Sequence, residues 1–397
     1  MACCKIEDAS DVADSAHVVM LVRNRYTNDT RVEKEARTLT DAGYRVTVVA
    51  DEGPGLPRTE DRQEARVVRV PRSGPQVPGL RYVLHELRLI GVLRRLRPAI
   101  LHAHDTNALF PVAMAARRLR VPFVYDAHDL WLGRPRRERS RAYFALNQMV
   151  YGLIERLFVP RAAAVLTVSP PIARHLARVY RVSRVDLVAN YPDVERTGVS
   201  RDLRSHPQGG KLVPGLPIVL YLGGLMGGRG LEELVDAMAA IDAAQLVLLG
   251  DGVLGPSLKQ RAEGIGVGDR VHLLSPVPSH EVVAYAASAQ VGVSPIVPSC
   301  LNYRYSLPNK LFQYMAAALP VVASDFPQVR EIVDDAACGI LVDARRPADI
   351  AQAVNRILAD PDAAREMGSR GRAAISGRYN WGVSAAALLE VYARLAV

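Results

Sequence analysis

At 397 residues, 49% hydrophobic and 23% charged, the chain exceeds one ordinary domain and can bury more than one sizeable core. No run of about 18 uninterrupted apolar residues occurs, which excludes a transmembrane helix. The net charge of +9 is uneven: residues 1–190 carry 31 Lys and Arg against 20 Asp and Glu, and the remainder carries 19 against 21.

That imbalance favours an anionic partner for the N-terminal half, either a membrane surface met peripherally or a phosphorylated small molecule. Nucleic acid is not expected, because Arg94, Arg95, Arg97 and Arg117, Arg118, Arg120 sit near helix ends without interleaved aromatics. Residues 1–16, with Asp8, Asp11 and Asp14 and no apolar stretch, read as a disordered or extended tail rather than a signal peptide. Cys3, Cys4, Cys300 and Cys338 have no metal-ligand spacing and read as reduced thiols. The expected location is the cytoplasm, including the inner membrane surface as a peripheral protein.

Short β-branched runs at 17–22, 44–50, 67–70, 99–104, 122–128, 165–169 and 185–190 alternate with helical patterns. Most are continuously apolar, as in strands covered by helices on both faces. After the first strand, Thr30-x-x-Glu33 suggests a capping box, with Val32, Ala36 and Leu39 on one helix face and Gly43 past its end. This order requires a parallel, doubly wound sheet. A Pro-, Gly- and Arg-rich stretch at 196–216 reads as a linker. The alternation then restarts at 218–222, 246–249, 271–274, 291–294, 320–324 and 340–342. The domains are therefore expected at 17–195 and 217–397, with the last helix free to return to the first.

The second half opens with Gly223, Gly224, Gly227, Gly228 and Gly230 between a strand and a helix, followed closely by Leu231 and Glu232. Bare backbone there can approach an anion, and Arg229 can grip it with a bidentate fork. The spacing is neither the P-loop nor GxGxxG, so the nicotinamide dehydrogenase reading loses its motif. A second segment places Pro308, Asn309, Lys310 and Leu311 at a helix start, where free N–H groups and an ammonium make a second anion site. Lys310 is one of only five lysines in the chain.

These residues resemble the retaining, nucleotide-sugar-dependent glycosyltransferases of family 4. The likeness runs through Asp29-Thr30-Arg31-Val32, Tyr125-Asp126-Ala127-His128-Asp129, the Asn190 turn, Tyr221-x-Gly-Gly with Arg229, and Leu249-Gly250-Asp251-Gly252. It is most specific at Leu307-Pro308-Asn309-Lys310-Leu311-Phe312-Gln313-Tyr314-Met315 and Pro320-Val321-Val322-Ala323-Ser324-Asp325. The resemblance implies an α/β fold of the GT-B type, two Rossmann-like doubly wound domains facing each other across a cleft. The N-terminal domain would bind the acceptor and the C-terminal domain the donor.

By the same likeness, Gly223, Gly224, Arg229, Asp251, Pro308, Asn309, Lys310, Leu311 and Gln313 would bind a UDP- or GDP-sugar. His128, Arg229 and Lys310 would serve the chemistry, with no cofactor and no metal. The acceptor is expected to be a small molecule or glycan, either a natural product, a polysaccharide or a lipid-linked sugar. Two departures stand out. The family's Glu-x7-Glu acids are replaced by Tyr305 and Gln313, and Ala318 stands where glycine is usual. Retention by internal return needs no carboxylate nucleophile, since a phosphate oxygen can take the acceptor proton, so the lost acids leave this chemistry open. A nucleotide-sugar 2-epimerase and a non-catalytic nucleotide-sugar binding protein are the alternatives.

His102-Ala103-His104 puts two imidazoles on one side of a strand, where a polar pair is expected over a metal site. Trp131 and the stretch 134–141 read as a loop able to meet the acceptor or a membrane.

Overall fold

The computed structural model describes residues 16–72, 78–135, 140–193, 200–241 and 243–395. The expected tail lies, but for Ala16, outside them, as do Cys3 and Cys4. The chain opens with β1 (His17–Leu21), α1 (Thr30–Asp41), β2 (Arg45–Asp51), β3 (Thr59–Asp61), β4 (Arg66–Val70), α2 (Pro78–Arg95), β5 (Ile100–His104), α3 (Thr106–Leu119), β6 (Phe123–Ala127), α4 (Arg141–Phe158), β7 (Ala164–Thr167), α5 (Pro170–Tyr180) and β8 (Asp186–Leu187). These strands form one sheet in the order β3-β4-β2-β1-β5-β6-β7-β8, parallel except for the β3–β4 pair.

Two local expectations are corrected. Asp29, not Thr30, caps α1: its Oδ1 accepts from the Val32 N–H at 3.3 Å. The last strand is two residues long rather than six, because beyond it the Val188 carbonyl accepts from the Arg31 guanidinium at 2.5 Å. The charged strand β3, Thr-Glu-Asp, carries no apolar signal and was not expected.

The chain continues through β9 (Ile218–Leu222), α6 (Leu231–Ala237), β10 (Gln245–Leu249), α7 (Gly255–Gly264), β11 (Val271–Leu274), α8 (Val282–Ala286), β12 (Val291–Ser294), α9 (Leu301–Tyr305), α10 (Asn309–Ala316), β13 (Val321–Ser324), α11 (Pro327–Ala336), β14 (Gly339–Val342), α12 (Pro347–Ala359), α13 (Pro361–Gly377) and α14 (Trp381–Leu395). Six parallel strands pair in the order β11-β10-β9-β12-β13-β14. Along β9 the side chains alternate between two cores. Ile218, Leu220 and Leu222 enter one, and Val219 and Tyr221 enter the other. This two-sided burial is why the strand reads as a continuous apolar run.

The chain divides into two units, one reaching Ala189 and resuming at Ser384, the other spanning Asn190–Val383. From Ser384 onward α14 therefore belongs with β1–β8; the Ser384 hydroxyl donates to the Ala189 carbonyl (2.8 Å) and Arg394 pairs with Asp186 (2.7 Å). Of the expected linker, the described part (200–216) is packed rather than free. Leu203 and Leu212 are buried in the second unit's core, and the Gln245 side-chain amide donates to the Val213 and Leu216 carbonyls at 3.0 Å. Among the described residues no helix is long and apolar enough to cross a membrane.

Candidate functional site

In the second unit the chain runs outward from β9 in one direction and from β12 in the other, so the glycine-rich turn after β9 lies at a topological switch point, where open α/β sheets bind ligands. Two of its glycines are required by contact. At Gly230 (φ +69°) a Cβ would fall 1.7 Å from the Pro295 carbonyl oxygen, and at Gly228 (φ +76°) it would fall 2.7 Å from the Tyr303 ring.

Lys310, in the first turn of α10, is buried and reaches back beneath this turn. Its Nζ lies 3.7 Å from the Tyr221 ring centroid and would stand 3.8 Å from a Cβ on Gly223. The Arg229 guanidinium lies 4.7 Å from the Tyr303 ring centroid. Among the described residues neither cation has a carboxylate at ion-pair distance; their close neighbours are aromatic faces. Burial, with Arg229 adding to it, pushes the Lys310 ammonium well below the usual lysine range.

The other expected residues are distributed unequally. The Gly224 carbonyl accepts from the Tyr221 hydroxyl at 3.1 Å. Asp251 follows β10, is exposed, and takes the Leu225 N–H on its backbone oxygen at 2.7 Å. With Gln208, Leu225, Gly252 and Lys259 it lines an open cavity of about 330 Å³. Pro308 precedes α10, and Asn309 at its start is exposed. Leu311 is different: its side chain is fully buried in the core, and its N–H already donates to the Pro308 carbonyl at 3.0 Å. Gln313 is half-buried on α10. The expected helix after the glycine turn is a seven-residue α6 followed by a 3-10 turn at Met238–Ala240, too short to supply a strong helix-end field. Ala318 adopts φ +56°, which explains why glycine suits that position.

The first unit holds a buried charged cluster that sequence spacing did not assemble. Arg31 on α1 forms a bidentate pair with Asp126 on β6 (2.8 and 3.1 Å) and lies 3.0 Å from Glu35. His128 Nε2 lies 3.0 Å from Asp126 Oδ2 and 3.1 Å from His104 Nδ1, and its backbone N–H donates to Asp105 at 3.1 Å. Burial opposes the charged imidazolium of His128, yet Asp126 outweighs it and raises this histidine to about 9. Burial and Asp126 push Glu35 up to about 8 against the pull of Arg31.

His102 is fully buried and held neutral by burial and by His104; its Nδ1 meets the Tyr392 hydroxyl at 2.8 Å. Asp105 sits at φ +65°, ψ +165°, a strained conformation, while its carboxylate accepts from Arg134 at 3.3 Å. Arg134 in turn lies 4.1 Å from the Trp131 ring centroid; residues 136–139 of the expected loop lie outside the described ones. Glu35 was read only as part of the family likeness and Arg134 only as part of a loop; their place in this cluster, and that of Asp105, appears only once the fold brings α1, β5 and the segment after β6 together.

Glu35, His102, His104 and Asp126 bring four ligand-type atoms within 4.8 Å of one another. The Arg31 guanidinium pairs with both carboxylates, supplying the positive charge that a cation would bring. The expectation of a metal-free reaction also rested on the absence of an Asp-x-Asp motif, and that is corrected: Asp360-Pro361-Asp362 is one. Asp360 caps α13 by accepting from the Ala363 N–H at 3.0 Å, and the exposed Asp362 pairs with Arg365.

Two parallel-sheet α/β units with a glycine-rich switch-point turn define a protein of the GT-B glycosyltransferase class. Residues 29–196 match the family described as Glycosyltransferase Family 4, and residues 216–360 match Glycosyl transferases group 1. The chain is 30% identical over 322 residues to alpha-maltose-1-phosphate synthase of Mycolicibacterium smegmatis, covering 75% of this chain and 79% of that one. It is 27% identical over 317 residues to alpha-D-kanosaminyltransferase of Streptomyces kanamyceticus, covering 76% and 78%. The solved sucrose-phosphate synthase of Thermosynechococcus elongatus superposes with a TM-score of 0.79 at 23% identity, covering 96% of this chain and 99% of that one. Anabaena HepE in complex with UDP-glucose does so at 0.73 and 17%, covering 95% and 99%. The chain belongs to glycosyltransferase family 4, and it is a glycosyltransferase; the epimerase and the non-catalytic binder find no support in these similarities.

Proposed function

We propose that this glycosyltransferase moves a sugar from a nucleoside-diphosphate sugar to its acceptor with retention and without a metal. The observation that carries this reading is the pair Arg229 and Lys310, two cations that have no carboxylate partner among the described residues and stand beside a bare glycine turn. Breaking an anomeric C–O bond to a diphosphate builds negative charge on the leaving group. Cations already fixed on aromatic faces stabilise that charge with little reorganisation.

Gly223 and Gly224 let the diphosphate approach the backbone, Lys310 and Arg229 take its charge, and Asn309 and the start of α10 close on it. Asp251 and Gln313 serve the nucleoside, and Gln313 can both accept from and donate to ribose hydroxyls. A leaving-group oxygen receives the acceptor proton as the new bond forms on the same face. His128, kept cationic by Asp126, offers a charged N–H donor for a sugar hydroxyl. The first unit takes the acceptor. There Arg23, Arg72, Arg81, Tyr82, His85, Asn107 and Tyr151 line a cavity of about 290 Å³ suited to an anionic group.

The test is turnover of a panel of UDP- and GDP-sugars in EDTA, with product anomers read by NMR coupling constants. Transfer with retained configuration is expected. Loss of transfer in EDTA, restored by divalent metal, overturns metal independence; an inverted product overturns retention.

A further inference from the structure

The helix α4 is inside-out for a water-soluble surface. It has one carboxylate, Glu155, and that residue is buried, where the Thr106, Tyr125 and Tyr180 hydroxyls donate to it. Its outward stripe is apolar instead: Tyr143, Leu146, Met149, Val150, Leu153 and Leu157, with Met149 65% and Leu153 57% exposed. The positions recur at helical spacing, so they share one face.

Helix α2 repeats the pattern. Its single carboxylate, Glu86, is buried against Arg23 at 2.6 Å, while Leu80, Val83 and Leu87 face outward. The exposed charges of the two helices are Arg81, Arg88, Arg94, Arg95, Arg141 and Arg156, with no acid among them. The helices meet where the Tyr82 and Tyr151 hydroxyls lie 3.4 Å apart.

We propose that the outer faces of α2 and α4 form a docking surface for an anionic lipid bilayer. Exposed apolar side chains flanked by arginine and cleared of carboxylates match an interface that offers hydrocarbon beneath negative headgroups. A second copy of the chain fits less well, since a two-fold contact through this face would set arginines against arginines. Arg81 and Tyr82 also line the first unit's cavity, so the docking face and that cavity are continuous. The apolar stripe of α4 enters the acyl boundary, and the arginines of both helices lie at headgroup level. Six of the 31 basic residues of 1–190 thus lie exposed on these two helices, and the proposal stands independently of the donor chemistry.

Sedimentation of the full chain with vesicles tests the proposal. Partitioning onto phosphatidylcholine vesicles containing about half phosphatidylglycerol should exceed partitioning onto phosphatidylcholine alone by at least about 10-fold, and should collapse near roughly 0.5 M salt. The variant Arg81→Gln/Arg88→Gln/Arg156→Gln should lose on the order of 100-fold in partitioning, and Leu146→Gln/Met149→Gln/Leu153→Gln at least about 10-fold. As a readout that does not depend on weakening the face, the indole introduced by Leu153→Trp should shift its emission to the blue on anionic vesicles and be quenched by brominated acyl chains. No binding by the folded wild-type chain, unchanged binding by either triple variant, or an unquenched indole in the Leu153→Trp variant overturns it. So does a concentration-dependent dimer that Leu146→Gln/Met149→Gln/Leu153→Gln dissolves.

Discussion

The two units treat buried positive charge in opposite ways. In the first, Arg31 is enclosed by Asp126, Glu35 and the Val188 carbonyl, and His128 is charged because Asp126 adjoins it. In the second, Lys310 and Arg229 lean on tyrosine rings and have no such counter-charge among the described residues. A cation with its own carboxylate holds a shape. A cation without one can bring its charge to a ligand, and for Lys310 a depressed pKa is the cost of waiting for it.

The largest effect that would break this contrast is expected at the enclosed cluster. Asp126→Asn leaves the Arg31 guanidinium buried without its main partner and should cost about 3–5 kcal/mol of stability, read by urea unfolding. The same cluster predicts a pH slope. His128 has a folded pKa of about 9, above the ordinary histidine value of 6.5, so its contribution is complete below about 6.5 and is lost as pH rises through about 9. Urea midpoints should fall across that window, and His128→Gln should flatten the fall; an unchanged slope would place the effect elsewhere.

Next comes Lys310→Ala. It should lower kcat by a factor of about 10² to 10³, the scale for one preorganised donor to a developing anion, with a smaller change in donor KM. An unaltered kcat would make Lys310 a structural lysine and erase the contrast between the units. A smaller effect is expected from Gln313→Glu, which should tighten donor binding by up to about 10-fold through ribose contact while leaving kcat nearly constant. Titration calorimetry with the nucleoside diphosphate reads it directly. The smallest is Ala318→Gly, which relieves a left-handed alanine (φ +56°) and should stabilise the second unit by about 0.5–1 kcal/mol, seen as a raised urea midpoint.

Strands buried on both faces were the legible part of the fold, because Ile218–Leu222 or Val291–Ser294 can hardly be anything else once bounded by turns. The glycine turn, Arg229 and Lys310 were also readable, being close in sequence or marked by an unusual lysine. The enclosed cluster was not. Arg31 and Asp126 stand 95 positions apart, and their pairing depends on α1 crossing β6 at a particular height. Nor could spacing show that Leu311 faces the core while Lys310 beside it reaches the turn; that depends on how α10 is rotated. The capping of α1 was misread by one residue because Asp29 and Thr30 are both good N-caps, and only backbone geometry separates them.

The return of the chain at Ser384 also sets an order in time. At a ribosome adding roughly 5–20 residues per second, about 10–40 s separate the synthesis of Ala189 from that of Ser384. By the end of that interval every strand of the second unit, through β14 (Gly339–Val342), has been made and its sheet can pair, while the first unit, though made earlier, still lacks the Tyr392 hydroxyl that meets His102 and the arginine that pairs with Asp186. The half of the molecule that emerges first is thus the half that finishes last, and a nascent chain halted before residue 384 would expose an imidazole pair built to be sealed.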